Sequence, residues 1–172
     1  MTLQKYDIEV FDKDSYYDDG TMTRSAEELQ EALVGKKIVA VEKRDFTDAE
    51  KAIITRENNG YYPYHLYSGK KTFLTLSDQT IAILVDVSDC CAHTSLDVFK
   101  LLDTEHAITG VGTTDGFNTW FIYAKDSIVA TADVSWSCGN PFYYAYGFEI
   151  QVLPLVIQIA ESSKRKEISD GS

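Results

Sequence analysis

The chain has 172 residues, of which 44% are hydrophobic and 25% charged, and its formal net charge is -11. That length and apolar content suffice for one domain with its own core, which excludes disorder along the whole chain. The acidity excludes direct nucleic-acid binding, because phosphate contacts need clustered Lys and Arg, and the one basic run, Lys164-Arg165-Lys166, lies between Glu161 and Glu167.

Residues 1–24 read as an acidic, tyrosine-rich arm. Asp7, Glu9, Asp12, Asp14, Asp18 and Asp19 interleave with Tyr6, Phe11, Tyr16 and Tyr17. Tyr6, Ile8 and Val10 alternate with polar residues, as in a short strand or an extended arm. The opening residues lack the apolar stretch of a secretory signal. Ser25 followed by Glu28 has the spacing of a capping box, and Leu29, Ala32 and Leu33 form one apolar stripe. The pattern predicts a helix over 26–34, stopped by Gly35.

A strand is expected over 37–44, with Ile38 and Ala40 on one face and Val39 and Val41 on the other. Residues 45–60 form a polar connection with a helical turn at 48–54 and a turn at Asn58-Asn59-Gly60. Aromatics crowd residues 61–67, and Pro63 would place any strand there at a sheet edge. A hairpin follows: 73–76, then Ser77-Asp78-Gln79, then 80–87. Ile81, Ile83, Val85 and Val87 share one face of the returning strand, and Thr80, Ala82, Leu84 and Asp86 the other.

A second helix is expected over 95–102, with Thr94 as cap, Asp97 three residues on, and Leu96, Phe99 and Leu102 facing the core. Strands are expected over 107–112, 118–124, 127–135 and 144–152, with turns at Asp115-Gly116 and Lys125-Asp126. The longest apolar run, 152–160, contains Pro154 and Gln158 and is far shorter than the ~20 residues of a membrane span. A last strand over 155–160 would precede a polar, flexible tail, 161–172. Successive strands joined by short turns predict a β-rich α+β fold. It would be a twisted antiparallel sheet, sandwich or roll, with one or two short covering helices, forming a single domain over 25–160.

Residues that carry chemistry are few. Asp89-Cys90-Cys91-Ala92-His93 places thiols beside an imidazole, which can lower a thiol pKa, but the spacing fits no nucleophile signature. The plainer reading is two small core residues at a strand end. Cys90, Cys91, His93, His106 and Cys138 have zinc-ligand chemistry, yet adjacent residues on a strand point to opposite faces, so Cys90 and Cys91 are poor joint ligands. Three cysteines without an export signal read as reduced thiols in a cytoplasm. His65 among tyrosines reads as a packed or surface side chain, and His106 as a partner for helix C-terminal carbonyls. No glycine-rich phosphate loop is present. Carboxylate pairs such as Asp18 with Asp19, or Asp86 with Asp89, read as solvating in a chain this acidic. No catalytic, cofactor or metal residue is assigned.

The aromatic clusters are more informative. Trp120, Phe121 and Trp136 suit cross-strand packing, and the same role is open to the tyrosines. Yet Tyr61, Tyr62, Tyr64 and Tyr67, and Phe142 and Tyr143 after Gly139-Asn140-Pro141, stand in loop-like contexts, where aromatics serve as interface anchors. These six are the candidate contacts with a partner protein.

Four segments carry a family likeness: 33–42 (Leu-Val-Gly-Lys-Lys-Ile-Val-Ala-Val-Glu), Leu74-Thr75-Leu76-Ser77-Asp78 with Asp89-Cys90-Cys91-Ala92, Ala107-Ile108-Thr109-Gly110-Val111, and 146–152 (Tyr-Gly-Phe-Glu-Ile-Gln-Val). Together they resemble a family of small acidic proteins of unknown function encoded mainly by phages of actinobacteria, mycobacteriophages among them. The likeness covers 33–152 and departs at Gln79, where glycine is expected in the turn. It supplies no catalytic residue. What it implies is expression in an infected bacterial cytoplasm from an accessory gene whose product binds and disables or redirects a host protein. Other readings stay open: an acidic mimic of nucleic acid, a thiol or metal enzyme using Cys90, Cys91 and His93, and a minor virion-associated protein.

Overall fold

The computed structural model describes residues 21–88, 92–114, 116–137 and 147–155, with the backbone alone at His65. In chain order the elements are α1 (Thr21–Leu33), β1 (Ile38–Lys43), α2 (Asp48–Glu57), α3 (His65–Ser68), β2 (Lys71–Leu76), β3 (Thr80–Val85), β4 (Val87–Ser88), β5 (His93–Leu101), β6 (Gly110–Thr114), β7 (Thr119–Ala124), β8 (Ser127–Ser137) and β9 (Glu149–Pro154). They form two antiparallel sheets: sheet A in the order β1-β2-β3-β9, and sheet B in the order β4-β5-β8-β7-β6. One of the two sheets curls into a half-barrel. The β-rich α+β reading therefore holds.

Sheet A is the middle layer. One of its faces packs on α1 and sheet B through Ile38, Leu74, Leu76, Ala82 and Leu84. Its other face packs under α2 and α3 through Phe73, Ile81, Ile83 and Val85, which meet Phe46, Ile54 and Leu66. Because both faces of β3 are covered, its sequence is a continuous apolar run rather than an alternating one.

Helix α1 begins a turn earlier than its apparent cap. Met22, Ser25, Ala26, Leu29 and Leu33 form its buried face. Ser25 does not cap; it lies inside the helix and its hydroxyl donates to Phe148 O at 3.2 Å. Gly35 ends the helix with φ +82°. Its N–H then reaches Ile108 O, while Ile108 N–H reaches Lys36 O, so the chain after α1 is tied to the segment entering β6. Gln30 Oε1 accepts from Val111 N–H at 3.1 Å, satisfying a donor of the edge strand β6.

Three β-bulges reset the side-chain alternation. In β1 the register with β2 shifts between Ile38 and Ala40, so Ile38 and Val41 both face the core and Val39 is exposed. The expected division of β1, Ile38 with Ala40 against Val39 with Val41, is corrected accordingly. In β5 the register with β8 shifts between Leu96 and Val98, the extra residue being Asp97. Residues 95–101 are therefore strand, not the expected helix. The bulge spaces Leu96 and Phe99 three apart on the core face, which is the interval of a helical stripe. In β8 a third shift falls opposite Ile122 and Tyr123.

The expected strand 80–87 is broken at Asp86, where the chain leaves sheet A, and Val87 and Ser88 join sheet B. The break is pinned on both sides. Asp86 N–H donates to Lys70 O at 2.8 Å, and Asp86 Oδ1 accepts from Leu96 N–H at 3.1 Å. Gly69 is required beside it, since a Cβ there would lie 2.1 Å from Asp86 O. The expected strand over 144–152 is β9, which starts later and runs through Pro154 at the sheet edge. The N-terminal arm before residue 21, the expected strand over 155–160 beyond Leu155, which is a turn residue, and the tail lie outside the described residues.

Candidate functional site

The segment from β1 to β2 builds a polar and aromatic layer on the outer face of sheet A. Thr47 caps α2: its Oγ1 accepts from Glu50 N–H at 3.2 Å, and Glu50 Oε2 accepts from Thr47 N–H at 2.8 Å. The capping box is legible in Thr47-Asp48-Ala49-Glu50, and the helix it opens, to Glu57, is longer than the helical turn expected at 48–54. Glu50 also takes both arms of Arg44, whose Nη1 and Nη2 donate at 2.9 and 2.8 Å. The guanidinium lies over the Phe73 ring, 3.6 Å from its centroid. Phe73 meets Phe46 edge-on at 5.6 Å.

Burial pushes the Glu50 carboxyl up, but hydrogen bonds from Arg44 and Thr47 outweigh it and hold the group below the usual carboxylate range. Lys71, only 3% exposed, donates to Gly69 O at 2.7 Å and to Asp45 Oδ1 at 3.1 Å, with its ammonium 5.5 Å from the Phe46 centroid. Asp45 itself is 87% exposed.

Above this layer runs the tyrosine segment. Asn58 side chain and backbone both donate to Ile54 O, and Asn59 and Gly60 then take positive φ, turning the chain back over sheet A. Pro63 opens the short helix α3 instead of lying in an edge strand, with Leu66 N–H donating to Pro63 O. Leu66 is buried and fastens α3 to the core. The side chains of Tyr61, Tyr64 and Tyr67 point outward, 62%, 77% and 62% exposed. Tyr62 lies behind them, packed edge-on against Tyr67 at 4.6 Å and 71°. Its hydroxyl is buried with no partner. Burial first, then the fields of Tyr67, Asp45 and Glu50, push its pKa up to about 12, so it stays protonated.

The structure thus brings four of the six candidate aromatics into one patch, three of them exposed. Phe142 and Tyr143 lie outside the described residues, as do Cys90, Cys91 and Cys138. His93 is exposed at the start of β5, opposite Ser137 and Ser88. His106 follows a strand, not a helix, and its Nδ1 meets Asp103 Oδ2 at 2.5 Å in a turn that Asp103 also caps. Among the described residues no group of three or more His, Cys, Asp or Glu is placed to hold a metal ion, and no helix is long and apolar enough to cross a membrane.

The tryptophans are structural. Trp120 is buried against Phe148, its Nε1–H donating to Phe117 O at 2.8 Å. Trp136 Nε1–H donates to Gly116 O at 2.7 Å and its ring meets Phe117 edge-on. Together they hold the β6–β7 turn, where buried Phe117 takes φ +65°.

Charge divides between the layers. Among the described residues, 38–85 carry six basic and six acidic side chains, whereas 86–137 carry two basic and six acidic ones. The first stretch builds most of sheet A with α2 and α3, the second builds sheet B.

Fold and site together define an antiparallel two-sheet α+β protein with an aromatic patch on its helical outer layer. The chain belongs to the family described as Domain of unknown function (DUF7448), which matches residues 31–150. That span is nearly the one marked out by the four motifs. No curated protein and no solved structure matches the chain.

Proposed function

We propose that this is a phage-encoded accessory protein, acting in the cytoplasm of the infected bacterium by binding a host protein without catalysing a reaction. The observation that supports it is the exposure of Tyr61, Tyr64 and Tyr67 on one short segment, while Trp120, Phe73, Phe117 and Phe148 are buried. Large aromatics held outward by a buried anchor are the residue type that dominates interface energetics. The phage context comes from the motif resemblance and the host role from that context.

The test is affinity purification of the tagged protein from host lysate, beside a Tyr61→Ala/Tyr64→Ala/Tyr67→Ala variant, with mass spectrometry of what is retained. One stoichiometric host protein should appear with the wild type and be lost with the variant. The variant should stay folded with a slightly lowered unfolding midpoint, because the three rings are largely solvated and the contact of Tyr67 with Tyr62 is lost. Equal recovery by both proteins sinks the reading.

A second reading, an acidic mimic of nucleic acid, draws on the acidity of the sheet B segment and on exposed Asp97 and Asp133 at neighbouring positions of β5 and β8. It expects the partner to be lost with Asp97→Asn/Asp133→Asn and kept with the tyrosine variant.

A further inference from the structure

Beneath the tyrosine patch the chain twice builds the same unit, a cation on an aromatic ring held by a carboxylate. Arg44 lies over Phe73 and donates to Glu50; Lys71 lies by Phe46 and donates to Asp45. Glu50 is fully occupied inside the layer, its side chain 2% exposed. Asp45 differs: it is 87% exposed and meets Lys71 through Oδ1. The same buried ammonium donates to Gly69 O, where α3 ends. One cation thus ties Asp45 to the helix that carries Tyr67. The field of Asp45 also reaches the buried hydroxyl of Tyr62, behind the outward rings. Tyr64 and Tyr67 lie 6.5 Å apart, tilted by 50°, both exposed. Rings and carboxylate therefore recur together at the surface, on the solvent side of the layer that uses them internally.

From this arrangement we propose that the tyrosine patch takes an arginine of a basic protein segment, its guanidinium stacked on the exposed rings of Tyr64 and Tyr67 and paired with Asp45. A cation over a tyrosine face is attracted by the ring's quadrupole. Arginine suits the site better than lysine, because its planar, weakly hydrated guanidinium can stack on a ring and donate to a carboxylate at once. Charge is complementary at longer range too. The described residues carry eleven basic and sixteen acidic side chains, so the body of the protein attracts a basic segment whatever its termini add. The inference rests on the patch being a protein-binding face and names the chemistry that face reads.

Titration of the full chain with a capped glycine–serine peptide carrying two arginines, followed by NMR at about 0.15 M salt, tests it. Shifts should gather at Asp45 and at Tyr61, Tyr64 and Tyr67. Asp45→Asn, which keeps an acceptor for Lys71, and Tyr64→Ala/Tyr67→Ala should each weaken binding by about fivefold or more. Asp97→Asn/Asp133→Asn, on sheet B, should leave it unchanged. The lysine peptide should bind more weakly, and the citrulline peptide, which keeps the shape without the charge, should not bind. Shifts spread over sheet B, citrulline binding as well as arginine, or an affinity indifferent to Asp45 overturns the proposal. A chain that ignores the peptide yet captures a host protein through its tyrosines overturns the arginine and leaves the binding reading standing. A peptide held at the patch, with no tyrosine-dependent host partner, supports the arginine site and removes the host reading.

Discussion

Arg44 donates two hydrogen bonds to Glu50, whose side chain is only 2% exposed and which also closes the cap of α2. Glu50→Ala leaves the guanidinium over Phe73 with only the exposed Glu42 as counter-ion, which should cost about 3 kcal/mol in urea unfolding, the low end for breaking a buried pair. The pH dependence follows from the lowered Glu50 pKa. A carboxylate held below its unfolded value stabilises the fold above that value, and the contribution is lost as pH falls through the folded pKa. Wild-type stability should therefore drop below about pH 4.5 more steeply than that of Glu50→Gln, which has no such proton to take up. Gln79 makes a different prediction. It closes a three-residue hairpin turn at φ +66°, with Gln79 N–H on Leu76 O, and Thr80 held by Asp78. The left-handed region disfavours any Cβ, so Gln79→Gly should raise stability by about 0.5–1 kcal/mol, measured by thermal melting. The turn takes a conformation that glycine favours with a glutamine in it.

Strand β5 shows how an element can imitate another. Thr94 and Asp97 resemble a helix start, a cap and the acidic residue three on, because such side chains can take local backbone partners. In the fold Thr94 Oγ1 donates to Met22 Sδ at 3.6 Å, and Asp97 Oδ1 accepts from Ser135 across the sheet at 3.1 Å and from Ser95 within the strand at 3.3 Å. The two readings differ most at Leu102, which a helix would bury and the strand leaves 61% exposed. Leu96→Ala should cost about 2–5 kcal/mol, whereas Leu102→Ala should stay within about 0.5 kcal/mol. Equal costs would restore the helix. The false cap at Ser25 has a related cause, since a serine in a helix can turn its hydroxyl to a neighbouring strand as well as to its own backbone. Strands β2, β7 and β8 and the stop at Gly35 were legible because alternation, turn residues and positive φ are local properties. Among the candidate residues, the outward-facing tyrosines were suggested by loop-like neighbours, while the Arg44–Glu50 pair was missed. Nothing in the spacing of Arg44 and Glu50 announces a shared hydrogen-bond site until β1 and α2 are placed.

At the scale of the whole molecule, Asp86 joins the two sheets. Burial raises its pKa, opposed by Leu96 N–H and the nearby Lys70 and Lys43, and Asp97 adds to the rise. A carboxyl raised in the fold binds its proton more tightly there than in the unfolded chain. Its cost to stability grows as pH climbs from the ordinary value of 3.8 through the folded pKa, and persists above it. Asp86→Asn keeps an acceptor for Leu96 without the charge. It should be at least as stable as the wild type at pH 7, and denaturant titrations should bring the two together in acid. A variant less stable at pH 7 than at pH 3, relative to wild type, would contradict this sign. Among the described residues the same joint separates the acidic sheet B segment from the charge-balanced layer that carries the tyrosine patch, which is why overall net charge is a poor guide to the patch.

The sequence by itself determined the β-rich class, the hairpin at Ser77, the turn at Asn58-Asn59-Gly60 and the presence of an aromatic segment after it, because each rests on interactions between residues close in the chain. Which strands share a sheet, where bulges reverse the alternation, that β3 is covered on both faces, and which tyrosines face solvent were decided only by tertiary structure. Those outcomes depend on pairings such as Thr80 with Pro154 and His93 with Ser137, formed by residues more than forty positions apart. At that separation the gain comes from shared burial and hydrogen bonding, which no local pattern of residues records.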